Sequence, residues 1–181
     1  GHHFLSPGPG FGGSCFPKDT HALVAIADEA DYDFALLKGV IEVNEEQRHR
    51  VVEKVVRGLP KENGHQTVGL WGLAFKAGTD DTRDSPAVDL ARLLVSRGVT
   101  IRAFDPKATV VMEGVDLVAD PLEAAQGADV LLIATEWPEF QEVDLALVRE
   151  AMAGAVIVDA RNLLDPDAVR RLGMEYFGVG R

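Results

Sequence analysis

The chain has 181 residues, enough for one large or two small domains. It is 46% hydrophobic and 26% charged, the balance of a folded globular chain, and its formal net charge of −11 argues against nucleic acid or an anionic membrane surface as a partner. A single cysteine excludes an internal disulfide framework, and no apolar run is long enough to span a bilayer, so the expectation is a cytoplasmic protein with no membrane contact.

The chain opens Gly1-His2-His3, without methionine, and almost at once enters Gly8 to Thr20 (Gly-Pro-Gly-Phe-Gly-Gly-Ser-Cys-Phe-Pro-Lys-Asp-Thr). The expectation is that further sequence precedes this segment. Gly8, Gly10, Gly12 and Gly13 allow backbone angles closed to other residues and close approach of a ligand to the main chain. Pro17 suits a first helical turn, which puts Cys15 just before a helix N-terminus, where the backbone N–H groups and Lys18 favour a thiolate. Asp19 stands one turn further on, within reach of a proton transfer. A lone cysteine is commonly a small buried hydrophobe, but this flanking pattern favours a reactive thiol. The five histidines lack metal-ligand spacing.

Thr20 to Ala30 reads as a helix, interrupted by Asp31-Tyr32-Asp33. A longer stripe follows, with Leu36, Leu37, Val40, Ile41, Val51, Val52, Val55, Val56 and Leu59 at helical spacing; Asn44, Gln47 and Arg48 lie in its middle, and Gly58 and Pro60 end it. Such a helix is either one member of a core bundle or a spine that joins two domains and meets a second subunit. The polar run Lys61 to Gln66 is the expected boundary, giving domains 1–62 and 63–181.

Beyond it strands and helices alternate. Strands are expected at Thr67–Trp71, Val99–Phe104, Val115–Val118, Asp129–Ala134, Ala155–Asp159 and Met174–Gly178, and helices at Pro86–Arg97, Leu122–Gln126, Leu145–Met152 and Pro166–Leu172. Repeated β-α-β units of this length imply an α/β, Rossmann-like, doubly wound parallel sheet whose ligands bind at the carboxyl ends of the strands. Gly69 and Gly72 do not form a Gly-x-Gly-x-x-Gly fingerprint, so this sheet is not read as the NAD domain. Lys76 and Arg83, on the loop after the first strand, either meet phosphates or are solvated charges paired with Asp80, Asp81 or Asp84. Asp105 reads as mainly structural, and Trp137 as a core, interface or nucleotide-site aromatic. Arg161 either contacts a substrate phosphate or pairs with Asp159 or Asp165.

The run Gly-Phe-Gly-Gly-Ser-Cys-Phe-Pro-Lys-Asp (Gly10 to Asp19) closely resembles the catalytic-cysteine segment of the UDP-glucose 6-dehydrogenase family, within the wider group that includes GDP-mannose 6-dehydrogenases. Gly-Leu-Ala-Phe-Lys (Gly72 to Lys76) followed by Thr-Asp-Asp-Thr-Arg-Asp-Ser-Pro (Thr79 to Pro86) is similar to that family's second hallmark. The resemblance covers nearly the whole chain. It implies an NAD-dependent, two-step oxidation of UDP-glucose to UDP-glucuronate through a thiohemiacetal and a thioester on Cys15, with Asp19 orienting or activating water. It further implies a sugar-nucleotide site formed by Phe4, Leu5, Ser6, Pro7, Gly8, Gly12, Phe75, Lys76 and Arg161, and cofactor contacts from Lys18 and Arg83. The long helix becomes the central dimerisation helix of a homodimer, and the sheet becomes the UDP-binding domain. The family's NAD domain, with its glycine fingerprint, and its upstream lysine and asparagine pair are absent from this sequence, so the chain alone is expected to be inactive. The other readings are the equivalent enzyme for GDP-mannose and a non-catalytic nucleotide-sugar-binding dimerisation module.

Overall fold

The structure is a computed structural model that describes residues 5–61 and 64–180. Helix α1 spans Phe16–Glu29, with Cys15 as N-cap, Pro17 in its first turn and Asp19 N donating to Cys15 O at 2.9 Å. It therefore begins four residues earlier than the apolar periodicity indicated. Pro17 lacks an N–H that the first turn would leave unbonded anyway, so it opens the helix instead of preceding it. The interruption at Asp31–Asp33 is a turn with Asp31 at φ 54°, and Lys38 Nζ pairs with both Asp28 (2.8 Å) and Asp33 (3.0 Å) across it.

Helix α2 spans Ala35–Gly58, 24 residues and so about 36 Å of helix at 1.5 Å per residue. Its apolar stripe divides into two. Val51, Val52, Val55 and the following Leu59 are buried in the main core, a contribution of roughly 6–12 kcal/mol at 1.5–3 per side chain, as an upper estimate. Leu36, Val40 and Val43 in the first half are exposed, Leu36 at 77%.

Six strands follow: β1 (Thr67–Trp71), β2 (Thr100–Phe104), β3 (Val115–Leu117), β4 (Val130–Ile133), β5 (Val156–Asp159) and β6 (Glu175–Gly178). The helices between them are α3 (Pro86–Val95), α4 (Pro121–Ala125), α5 (Leu145–Ala151) and α6 (Pro166–Arg171). The sheet order is β3-β2-β1-β4-β5-β6 and every pairing is parallel. The expected Rossmann-like doubly wound sheet is therefore present, with each element within a few residues of its expected ends. A 3-10 turn at Pro138–Gln141 is additional.

Side-chain alternation shows which helices cover which face. A Cβ on Gly58 of α2 would meet Val130 and Val156, while one on Gly69 would meet the Ala124 carbonyl of α4. Val130 is in register with Val68 and Val156, and Gly69 is one residue out of phase with them. Hence α2 and α4 lie on opposite faces; α3 packs on α2, and α5 on α4. The core contains Val51, Val52, Val55 and Leu59 together with the strands, so it continues across the polar run at 61–66. Among the described residues, no helix is long and apolar enough to cross a membrane.

Candidate functional site

From β1 the chain winds outward to β2 and β3, then returns to β4 on the other side. The strand order therefore reverses between β1 and β4, and in open sheets of this kind ligands bind beside the carboxyl ends of such strands. Buried polar groups hold the loops after β1 and β4 at this carboxyl edge. Ser85 Oγ donates to Leu73 O (2.7 Å) and Thr135 Oγ1 to Ala74 O (2.6 Å). Asp105, at the end of β2, accepts from Leu73 N, Ala74 N and Trp137 Nε1 through Oδ2 and from Lys107 N and Ala108 N through Oδ1, all within 3.0 Å. Five bonds to one carboxylate account for Asp105 as a structural residue, and they also fix Trp137, which is buried.

The glycine-rich segment lies across this edge. Gly13 N donates to Asp84 O at 3.1 Å. Gly12 is obligatory there, because a Cβ would collide with the Asp84 carbonyl and the Pro86 ring. From the other side the loop is gripped by the polar residues that interrupt the α2 stripe. Asn44 Oδ1 accepts from Phe11 N (2.7 Å) and its Nδ2 donates to Phe11 O (3.1 Å). Gln47 Nε2 donates to Gly8 O (3.1 Å) and Arg48 Nη2 to Phe11 O (3.3 Å). The break in periodicity at 44, 47 and 48, one turn apart on one helix face, was the available sign of this clamp.

Between the loop, the first half of α2 and the sheet edge lies an open cleft of ≈ 1250 Å³. It brings together Ser6, Pro7, Gly8, Gly12, Phe75, Lys76 and Arg161 from the expected sugar-nucleotide set. Leu5 is exposed and outside its lining, and Phe4 lies outside the described residues. The Lys76 amine sits 5.2 Å from the centre of the Phe75 ring, a cation–π distance. Arg161 does not pair with Asp159 or Asp165 as one reading expected. Asp159 is spent on Arg161 N, Leu164 N and Tyr176 OH. The Arg161 guanidinium instead bridges the loops, donating to Ala134 O (2.9 Å) and Phe75 O (3.1 Å) and standing 3.0 Å from Glu136 Oε2. Burial lowers the Arg161 pKa, and Glu136 and then Asp159 oppose the shift. Glu136 was not singled out from the sequence.

Cys15, Asp19, Lys18 and Arg83 do not line the cleft, although Phe16, next to Cys15, does. Cys15 is free and exposed at the N-cap of α1, with Ser14 Oγ 3.8 Å from its sulfur. Lys18 pairs with Asp19 at 2.9 Å and is raised above its ordinary pKa, first by that hydrogen bond and charge and also by Cys15. Arg83 pairs with Asp81 (Nη2–Oδ2 2.7 Å), one of the partners expected for it, and is raised by that bond first and also by Cys15. The Arg83 side-chain and backbone hydrogen bonds in turn hold Asp81 down to about 2. Both cations therefore sit within electrostatic reach of the thiol.

Two family profiles match the sequence: the UDP-glucose/GDP-mannose dehydrogenase family, UDP binding domain, over residues 69–166, and the central domain of the same family over residues 1–46. UDP-glucose 6-dehydrogenase TuaD of Bacillus subtilis (strain 168) is 40% identical over 186 residues, spanning 100% of this chain and 40% of the relative. A UDP-D-ManNAc dehydrogenase from Pyrococcus horikoshii superimposes with TM-score 0.81 at 31% identity, covering 97% of this chain and 40% of that one. A UDP-glucose dehydrogenase from the archaeon Pyrobaculum islandicum does so with TM-score 0.79 at 34% identity, covering 99% and 40%. The chain thus spans about two-fifths of the length of the relatives it matches. With both profiles meeting on one fold and one cleft, the chain belongs to the UDP-glucose/GDP-mannose dehydrogenase family.

Proposed function

We propose that this chain carries the nucleophile and the nucleotide-sugar cleft of an NAD-dependent UDP-glucose 6-dehydrogenase that works as a homodimer through α2. The observation that carries this reading is the cleft itself. Ser6, Pro7, Gly8 and Gly12 line it together with Phe75, Lys76 and Arg161, and an exposed free thiol starts the next helix. The name of the 40%-identical Bacillus relative supports UDP-glucose as the sugar nucleotide. Leu36, Val40 and Val43 line the open cleft and are also exposed, and this apolar edge of α2 supports a second subunit beside the cleft.

In this reading Lys76 and Arg161 meet the diphosphate, and the apolar first half of α2 walls the cleft. C6 of the sugar is a primary alcohol. Two-electron oxidation gives the aldehyde, and the Cys15 thiolate adds to its carbonyl carbon to form a thiohemiacetal. A second two-electron oxidation gives a thioester. Water then adds and the C–S bond breaks, releasing the carboxylate and restoring the thiol. Asp19, with Lys18 as its counter-ion, lies on the α1 turn next to Cys15 and receives the proton from that water. NAD supplies the hydride acceptor for both oxidations. The turn after β1 does not fit its pyrophosphate, because the N–H groups of Leu73 and Ala74 are both bonded to Asp105. Lys18 and Arg83, beside Cys15, are the residues of this chain that suit it.

Calorimetric titration with UDP-glucose, with GDP-mannose as comparison, tests the proposal. Selective binding of UDP-glucose is expected. Preference for GDP-mannose would overturn the substrate, and binding of neither would overturn the cleft assignment. The chain mixed with UDP-glucose and NAD is expected to produce no NADH absorbance. Sedimentation should give a dimer that Leu36→Glu converts to monomer.

A further inference from the structure

The Glu136–Arg161 contact has an unusual hydrogen-bond pattern. Nε of Arg161 carries one hydrogen, and that hydrogen is directed at Ala134 O (2.9 Å), while Nη2 donates to Phe75 O (3.1 Å). Glu136 Oε2 lies 3.0 Å from Nε but receives no hydrogen bond, although the atom is buried. Its other oxygen, Oε1, accepts only a long bond from Ala77 N at 3.4 Å. Apart from that long bond the carboxylate is held by charge, with one oxygen taken from water and given no donor in return, an arrangement that costs free energy. Arg161 by contrast is fixed: its side chain is 14% exposed and its guanidinium joins the loops after β1, β4 and β5. Nη1 takes no part in these bonds and lies against Gly8, where a Cβ would come within 2.9 Å of it. Glu136, 40% exposed, and Arg161 both line the cleft.

We infer that Glu136 is a resident counter-ion occupying the place of a ligand phosphate on Arg161, and that a diphosphate-bearing ligand enters the cleft by displacing it. This rests on the reading of the cleft as a nucleotide-diphosphate site. A phosphate oxygen brings the same charge and can meet Nη1 and the Lys76 amine as well, which the carboxylate does not. Glu136 thereby gives the buried Arg161 charge a counter-ion, and it swings outward when the ligand arrives. Glu136 acts through Arg161 and is a positioning residue.

The test is calorimetric titration of the wild-type chain and Glu136→Gln with inorganic pyrophosphate and with UDP at one ionic strength, with melting curves as the folding control. Glu136→Gln keeps an acceptor for Ala77 N and is expected to bind both ligands roughly tenfold more tightly, because the ligand no longer competes with a carboxylate charge beside Arg161. Glu136→Asp, which draws the carboxylate back from Arg161, is expected to move affinity the same way, so the inference does not depend on one variant folding. Glu139→Gln removes a nearby exposed carboxylate and is expected to change affinity less than twofold. Unchanged or weaker binding by Glu136→Gln, an equal gain in Glu139→Gln, or no binding of either ligand by any variant would overturn the inference. If pyrophosphate follows the expected order but UDP binds no better than pyrophosphate, the nucleotide reading fails while the counter-ion stands.

Discussion

Replacing Asn44 by alanine isolates the clamp on the glycine-rich loop. The substitution removes both bonds to Phe11, at 2.7 and 3.1 Å, and leaves the weaker Arg48 contact at 3.3 Å. At a net value of about 1 kcal/mol per bond, plus part of the desolvation of a half-buried N–H left without a partner, the loop should lose about 2–3 kcal/mol of local stability. Asn44 lies outside the main core, so this loss is one of local opening and not of global unfolding. Amide hydrogen exchange at Phe11 should accelerate roughly 30- to 140-fold, since each 1.4 kcal/mol is a factor of ten. Exchange in β1 and β4 should not change. Affinity for nucleotide sugar should fall, because Ser6 to Gly12 form one wall of the cleft. Unaltered exchange at Phe11 would refute the argument, since it would mean that the contacts with Gly12 and Gly13 hold the loop without Asn44.

Gly12→Ala should displace the loop from Asp84 and Pro86 and weaken ligand binding at least tenfold, while the melting temperature moves little; titration and melting together check this. Val55→Ala removes two buried methyl groups from the part of α2 that completes the sheet's core, and urea unfolding should show a loss of about 2 kcal/mol. Asp81 should titrate at about 2 by carboxyl carbon chemical shift, and Arg83→Ala should return it toward its ordinary value of 3.8. Its folded-state pKa is depressed, so its contribution to stability is present above the ordinary value and is lost as pH falls through about 2.

Much of this architecture is local and so was legible in the sequence. Five short runs rich in β-branched residues and leucine, and an aromatic one at Met174–Gly178, alternate with amphipathic runs and define a parallel α/β sheet, because strand and helix periods depend only on neighbours along the chain. Pro86, Gly58 and Gly98 mark helix ends for the same local reason. The Cys15 segment and the Phe75-Lys76 hallmark were readable as a family resemblance, because they are contiguous. Contacts between distant residues were not legible. Asn44 meets Phe11 across 33 positions, Asp105 meets Leu73 across 32, and Arg161 meets Phe75 across 86. Each is set by which strand lies beside which, and so by the outward and returning crossovers of the sheet. The partner of Arg161 illustrates the difference. Asp159 and Asp165 are near it in sequence, but the end of β4 delivers Glu136 to the guanidinium, while Asp159 is turned inward to Leu164 N and Tyr176. Sequence alone therefore determined the elements, whose patterns are short-range. Only the tertiary structure decided which charges face one another in the cleft, because adjacency there follows strand order and not position along the chain.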